Sequence, residues 1–114
     1  MNINEKLIEA AHNNNLEEVK KCIEQGAQVN YVDEEGRIAL RYAVIAGNYA
    51  MVEYLDKQGA DPNLDPTLWL IVERSKDMAI EKTLDNGLVI VDESFKDIAN
   101  LLEPKFEEIE NLVR

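Results

Sequence analysis

The stretch Gly26–Asn30, GAQVN, returns as Gly59–Asn63, GADPN, 33 residues later. The flanks return with it: Val52 stands over Val19, Leu55 over Cys22 and Gln58 over Gln25. Further back, Leu40 stands over Leu7 and Ala43 over Ala10. A self-similar period of this length constrains the fold more than any other property of the chain. It marks stacked units, each too small to bury its own apolar face and each completed by its neighbour.

Each unit reads as a pair of helices. Leu7, Ile8, Ala10 and Ala11 form a short apolar cluster that Asn13–Asn15 interrupts. Leu16, Val19, Cys22 and Ile23 then recur at the spacing of an amphipathic helix, which Gly26 closes. Residues 27–37 are expected to be extended and turn-like, with Asp33–Gly36 (DEEG) at the tip. The second unit repeats this order, with a short helix over Ile38–Ala46, a turn at Gly47-Asn48 and a helix over Tyr49–Gln58.

A third unit is expected after Pro66. It has a short helix around Leu68, a polar break at Ser75–Asp77 and a longer helix closed by Gly87. Leu7 to Val19, Leu40 to Val52 and Leu68 to Ile80 are each 12 residues apart. Leu88–Val91 (LVIV) is read as packed connector, since no alternating strand stands nearby to pair with it. In the tail, Ser94 and Asp97 suggest a capping pattern ahead of Ile98, Leu101 and Leu102, and Pro104 breaks the chain. Phe106, Ile109, Leu112 and Val113 form a last stripe, with Ile109 set where Val52 and Ile80 fall. The expected organisation is one domain over 1–114, with units near 1–31, 32–64 and 65–92 and a degenerate cap over 93–114.

Paired helices, a Gly-Ala-Asp-x-Asn turn and this period resemble the ankyrin repeat family, whose units carry a Thr-Pro-Leu-His-x-Ala signature. Here that signature reads IALRYA over Ile38–Ala43: Leu40 and Ala43 fit, while Ile38, Ala39 and Arg41 replace Thr, Pro and His. The resemblance is strongest over residues 5–64 and fades beyond 87. It implies an all-α solenoid of stacked helix-turn-helix repeats joined by short hairpin-like connectors. The lost Thr and His remove side chains that usually stiffen the start of each repeat.

Charge narrows the partners. The net charge is −11, with the acidic excess larger in residues 58–114, where 13 acids face 6 bases. That balance opposes nucleic acid and anionic membranes, which need a basic footprint; it suits a basic protein, and it is equally read as serving solubility alone, since acidic surfaces repel one another. One Cys permits no internal disulfide, and no apolar run approaches membrane-spanning length, so a soluble cytoplasmic chain is expected.

Catalytic chemistry finds little support. His12 is the only histidine, and Cys22 occupies the place of Leu55, so it reads as a small core hydrophobe rather than a nucleophile. One Cys and one His cannot supply a usual zinc set. Adjacent acids such as Glu17-Glu18 do not share a helix face. No phosphate-cradling glycine loop is present, and no cofactor is expected.

The resemblance implies that partners are met by the finger tips and by the concave face of the short first helices. The corresponding positions are Tyr31, Glu34, Glu35 and Arg37 on the finger, with Arg41, Tyr42, Trp69 and Glu73 on the short helices. Trp69 is equally readable as core beside Leu68 and Ile71. The expected function is a non-catalytic, protein-binding module, monomeric when free, in the manner of an inhibitor or immunity-type antagonist. The alternatives are a structural or self-associating module, which an exposed apolar edge near the truncated third finger would favour, and a small enzyme.

Overall fold

A computed structural model describes residues 2–78 and 80–106. The first unit is α1 (Ile3–His12) and α2 (Leu16–Glu24); the second is α3 (Ala39–Ala46) and α4 (Tyr49–Lys57). A 3₁₀ turn at Pro62–Leu64 leads to α5 (Leu68–Ser75). A hairpin follows, β1 (Ile80–Thr83) and β2 (Val89–Asp92), then α6 (Ser94–Leu102) and a 3₁₀ turn over Glu103–Phe106.

The repeated asparagines start the second helices. Asn15 Oδ1 accepts from the Glu18 N–H at 3.1 Å, and Asn48 Oδ1 accepts from the Met51 N–H at 3.1 Å. Each satisfies an amide that the first helical turn leaves without a partner. Asn48 Nδ2 also donates to Asn14 Oδ1 at 2.8 Å, tying the turn of one unit to the turn of the next.

The core runs continuously through the stack. Leu7, Ala11 and Val19 meet Leu40, Ala43, Val52 and Leu55, then Leu68, Val72, Ile98 and Leu102, all at 2% exposure or less. Cys22 is buried among them, in the role of a small hydrophobe. Burial pushes its thiol pKa up, with nearby Glu18 adding to the shift.

The third unit departs from the helix expected between the polar break and Gly87. Strand β1 occupies that stretch instead, paired antiparallel with β2 beyond Gly87, with Ile80 opposite Asp92 and Thr83 opposite Val89. The reason is local. Asp85-Asn86-Gly87 forms a tight turn in which the Gly87 N–H donates to Leu84 O at 2.9 Å, the Leu84 N–H donates to Leu88 O at 2.7 Å, and Gly87 takes a φ of 84°. Asn86 Oδ1 accepts from the Leu88 N–H at 3.1 Å. Such a turn between β-branched residues favours a hairpin over a helix. Leu88–Val91 is therefore not packed connector: Val89, Ile90 and Val91 belong to a strand and lie exposed.

The helix that packs on α5 is α6, beyond the hairpin. A hydrogen-bond ladder fixes the correspondence. Asn30 Nδ2 donates to Gly59 O at 3.0 Å, and Asn30 Oδ1 accepts from the Asp61 N–H at 2.8 Å. One unit on, Asn63 Nδ2 donates to Lys105 O at 2.8 Å, so Lys105 stands where Gly59 stands. Counting back seven residues from each gives Val52 and Ile98, both fully buried. Ile98, not Ile80, is the counterpart of Val52, and the 12-residue spacing to Ile80 is a coincidence of composition. Ile109, Leu112 and Val113 lie outside the described residues.

The start of α6 also differs from its expected cap. Ser94 is already helical, and both its N–H (2.9 Å) and its hydroxyl (2.6 Å) donate to Asp92 Oδ1. Lys76 then joins Glu73 at 2.9 Å and Glu103 at 2.6 Å, and Lys105 joins Asp56 at 3.1 Å, tying α5, α6 and α4 together at their ends.

Candidate partner-binding trough

The finger between α2 and α3 owes its shape to Asp33. Its Oδ1 accepts from the N–H of Glu35 at 2.9 Å and of Arg37 at 3.0 Å, while its own N–H donates to Arg37 O at 3.0 Å. The loop is thus folded back on itself, with Glu34 and Glu35 exposed at its tip. Arg37 Nη1 lies 3.2 Å from Glu35 Oε2. A hydrogen bond to Tyr42, then the charge of Glu35, raises the Arg37 pKa above its ordinary value.

Beneath the finger, Tyr42 of α3 stacks on His12 of α1, with ring centroids 4.6 Å apart and planes inclined by 25°. Glu5, Glu9, Asp33, Glu35 and Arg37 surround this pair and, with Ile8, line a groove of about 380 Å³. A second depression of about 310 Å³ shares Glu5, Asp33 and Glu35 and adds Tyr31 and Glu34. Sharing these three residues, they make one trough lined by the His12 and Tyr42 rings and by carboxylates. Among the described residues that line it, Arg37 is the only Lys or Arg, and it already faces Glu35.

Tyr31, Glu34, Glu35, Arg37 and Tyr42 are brought together here; Arg41, Trp69 and Glu73 are not among the residues lining the trough. Arg41 turns toward the next unit instead. Its Nη1 lies 2.9 Å from Asp65 Oδ1 and donates to Thr67 Oγ1 at 2.7 Å, with the Arg41 side chain 17% exposed and that of Asp65 1%. Where the family signature carries His, this chain uses one guanidinium nitrogen of Arg41 to join two units. Trp69 packs half-buried against the core, and Glu73 is bound to Lys76.

Three groove residues, Glu5, Glu9 and His12, are not among the partner-binding positions that the sequence singles out. The signal that could have found them is the repeat itself: Ile8 and Glu9 align with Arg41 and Tyr42, so α1 faces the same side as α3.

A family model of ankyrin repeats (many copies) matches residues 7–55. Those residues are ankyrin repeats. The match ends within α4, and the ladder from Asn30 to Asn63 extends the same architecture to α5 and α6. The chain is 37% identical over 81 residues to human mitochondrial disaggregase, covering 71% of this chain and 12% of that protein. The bovine mitochondrial disaggregase is 39% identical over 74 residues, 65% of this chain and 11% of the relative. Protein lin-12 of Caenorhabditis elegans is 43% identical over 49 residues, 43% of this chain and 3% of its own length. The chain thus spans a small fraction of these relatives. Ankyrin repeats mediate protein–protein interactions, and the trough lies on the finger side of this array. No helix among the described residues is long and apolar enough to cross a membrane.

Proposed function

We propose that this chain is a non-catalytic interaction module that grips a basic segment of another protein in the trough beneath its first finger. The observation that carries this reading is the clustering of Glu5, Glu9, Asp33 and Glu35 around the stacked His12 and Tyr42 rings, with Glu34 in the adjoining depression. A Lys or Arg side chain laid into it would meet carboxylates and aromatic rings. The flanking charge would also steer such a partner, since the whole chain carries −11. A basic surface covered in this way is blocked, which is how an inhibitor or immunity-type antagonist would act.

The test uses an array of Lys/Arg-rich, neutral and acidic peptides, followed by surface plasmon resonance on the best binders. Basic peptides should bind, and Glu34→Lys with Glu35→Lys should slow association and flatten its salt dependence. Tyr42→Ala should instead speed dissociation. Binding that ignores all three changes while Lys20, Lys21 and Lys57 substitutions abolish it would move the site to the second-helix face.

A further inference from the structure

The hairpin between α5 and α6 carries a surface that the trough does not explain. Leu88, Val89, Ile90 and Val91 are consecutive, apolar and 47–61% exposed. Because alternate residues of a strand face opposite sides, both faces of β2 are apolar and open. Among the described residues the strand pairs on one side only, in the order β1-β2, so its other side is an edge. Natural sheets blunt such edges with charge, Pro or a bulge, and Leu88–Val91 contains no charge and no Pro.

The register says which main-chain groups lie on that edge. Leu84 donates to Leu88 O at 2.7 Å, which makes this a hydrogen-bonded pair. Antiparallel alternation then directs the main chains of Ile90 and Asp92 toward β1, opposite Lys82 and Ile80. Val89 and Val91 direct theirs outward.

We propose that β2 pairs with β2 of a second copy of this chain, making a four-stranded antiparallel sheet about a two-fold axis through Ile90. In that register Val89 meets Val91 of the second copy and Val91 meets its Val89, so both outward residues find hydrogen-bonded partners. Ile90 meets Ile90 in the close, non-bonded position, where apolar side chains pack best. The run Val-Ile-Val reads identically in both directions about Ile90, so the isologous arrangement suffers no mismatch. Charge favours this occupant over a basic one, because the paired stretch is neutral and Asp92 falls opposite Leu88 rather than opposite another acid. Two four-residue strands bury less than the roughly 1,200 Å² of a stable interface, so the pairing is reversible and concentration-dependent.

Sedimentation equilibrium of the full chain over a concentration series tests this. The weight-average mass should climb from 13.0 kDa toward twice that value. Val91→Pro removes only an outward N–H, and Ile90→Lys places like charges at the axis; each should hold the mass at the monomer value with an unchanged melting midpoint. If Val91→Pro lowers the midpoint, Val89→Pro removes the symmetry-related donor and should give the same monomer. Ile45→Lys, an exposed apolar position on α3, should leave the dimer intact. A mass that stays flat, a rise that survives both hairpin changes, or a rise abolished by Ile45→Lys would overturn the proposal. So would binding of an unrelated Val/Ile-rich strand peptide by a chain that remains monomeric. The trough plays no part in these outcomes.

Discussion

The ring of Phe95 occupies the space where a side chain on Gly47 would begin. A Cβ built on Gly47 would lie 2.6 Å from the ring's Cζ, and Gly47 takes a φ of 66° in the turn between α3 and α4. The first residue pair of α6 is thereby seated on the turn of the preceding unit, 48 residues earlier in sequence. Gly47→Ala meets two separate obstacles, a left-handed backbone and a collision. The first costs about 1–2 kcal/mol and the second about 1–3 kcal/mol. In urea titrations Gly47→Ala should lose roughly their sum, and Phe95→Ala in the same chain should restore the collision part. Strict additivity of the two single changes would show that the ring does not press on this turn.

The Arg41–Asp65 pair predicts an asymmetry. Arg41→Ala strands a carboxylate that is 1% exposed, and breaking a pair this buried costs about 3 kcal/mol or more. Replacing both residues by apolar ones of similar volume, Arg41→Met with Asp65→Leu, should cost much less. Chemical denaturation of the two variants checks the order; equal losses would mean that the pair is solvated in practice.

Asn63 should matter more than its exposure suggests. Its amide is the tie between the second finger position and Lys105, and its Oδ1 is buried without a partner among the described residues. Asn63→Ala should destabilise by about 1–3 kcal/mol. Hydrogen exchange should accelerate first in α6 and the Glu103–Phe106 turn, with α1 and α2 retaining their protection.

Cys22 predicts a pH dependence. Burial, then Glu18, raises its thiol pKa above the ordinary value of 9.0, so the folded state holds this proton more tightly than the unfolded state. The contribution is fully present below pH 9.0 and is lost as pH rises through the raised value. Stability of the native chain should therefore fall on the alkaline side with a component that Cys22→Ala lacks. Thiol alkylation below that pH should proceed only at the rate of local opening.

The period in the sequence determined most of this protein. Asn15 and Asn48 cap helices because the first amides of a helix need an acceptor, and that need is local. Val19, Cys22, Val52 and Leu55 are buried because their spacing makes one apolar face, which is again a property of the segment. What the tertiary structure decided is which distant segments complete which units. Ile80 and Ile98 are both apolar, both followed by polar and apolar residues at helical spacing, and nothing in either stretch says which one packs on α5. The choice falls to Asp85-Asn86-Gly87, which turns the nearer stretch into a hairpin, and to Asn63 and Gly47, whose contacts with Lys105 and Phe95 seat the farther one. Arg41 and His12 teach the same lesson. A side chain's partners across units, Asp65 for one and Tyr42 for the other, depend on the distance and direction that stacking sets between helices, and no single segment carries that information.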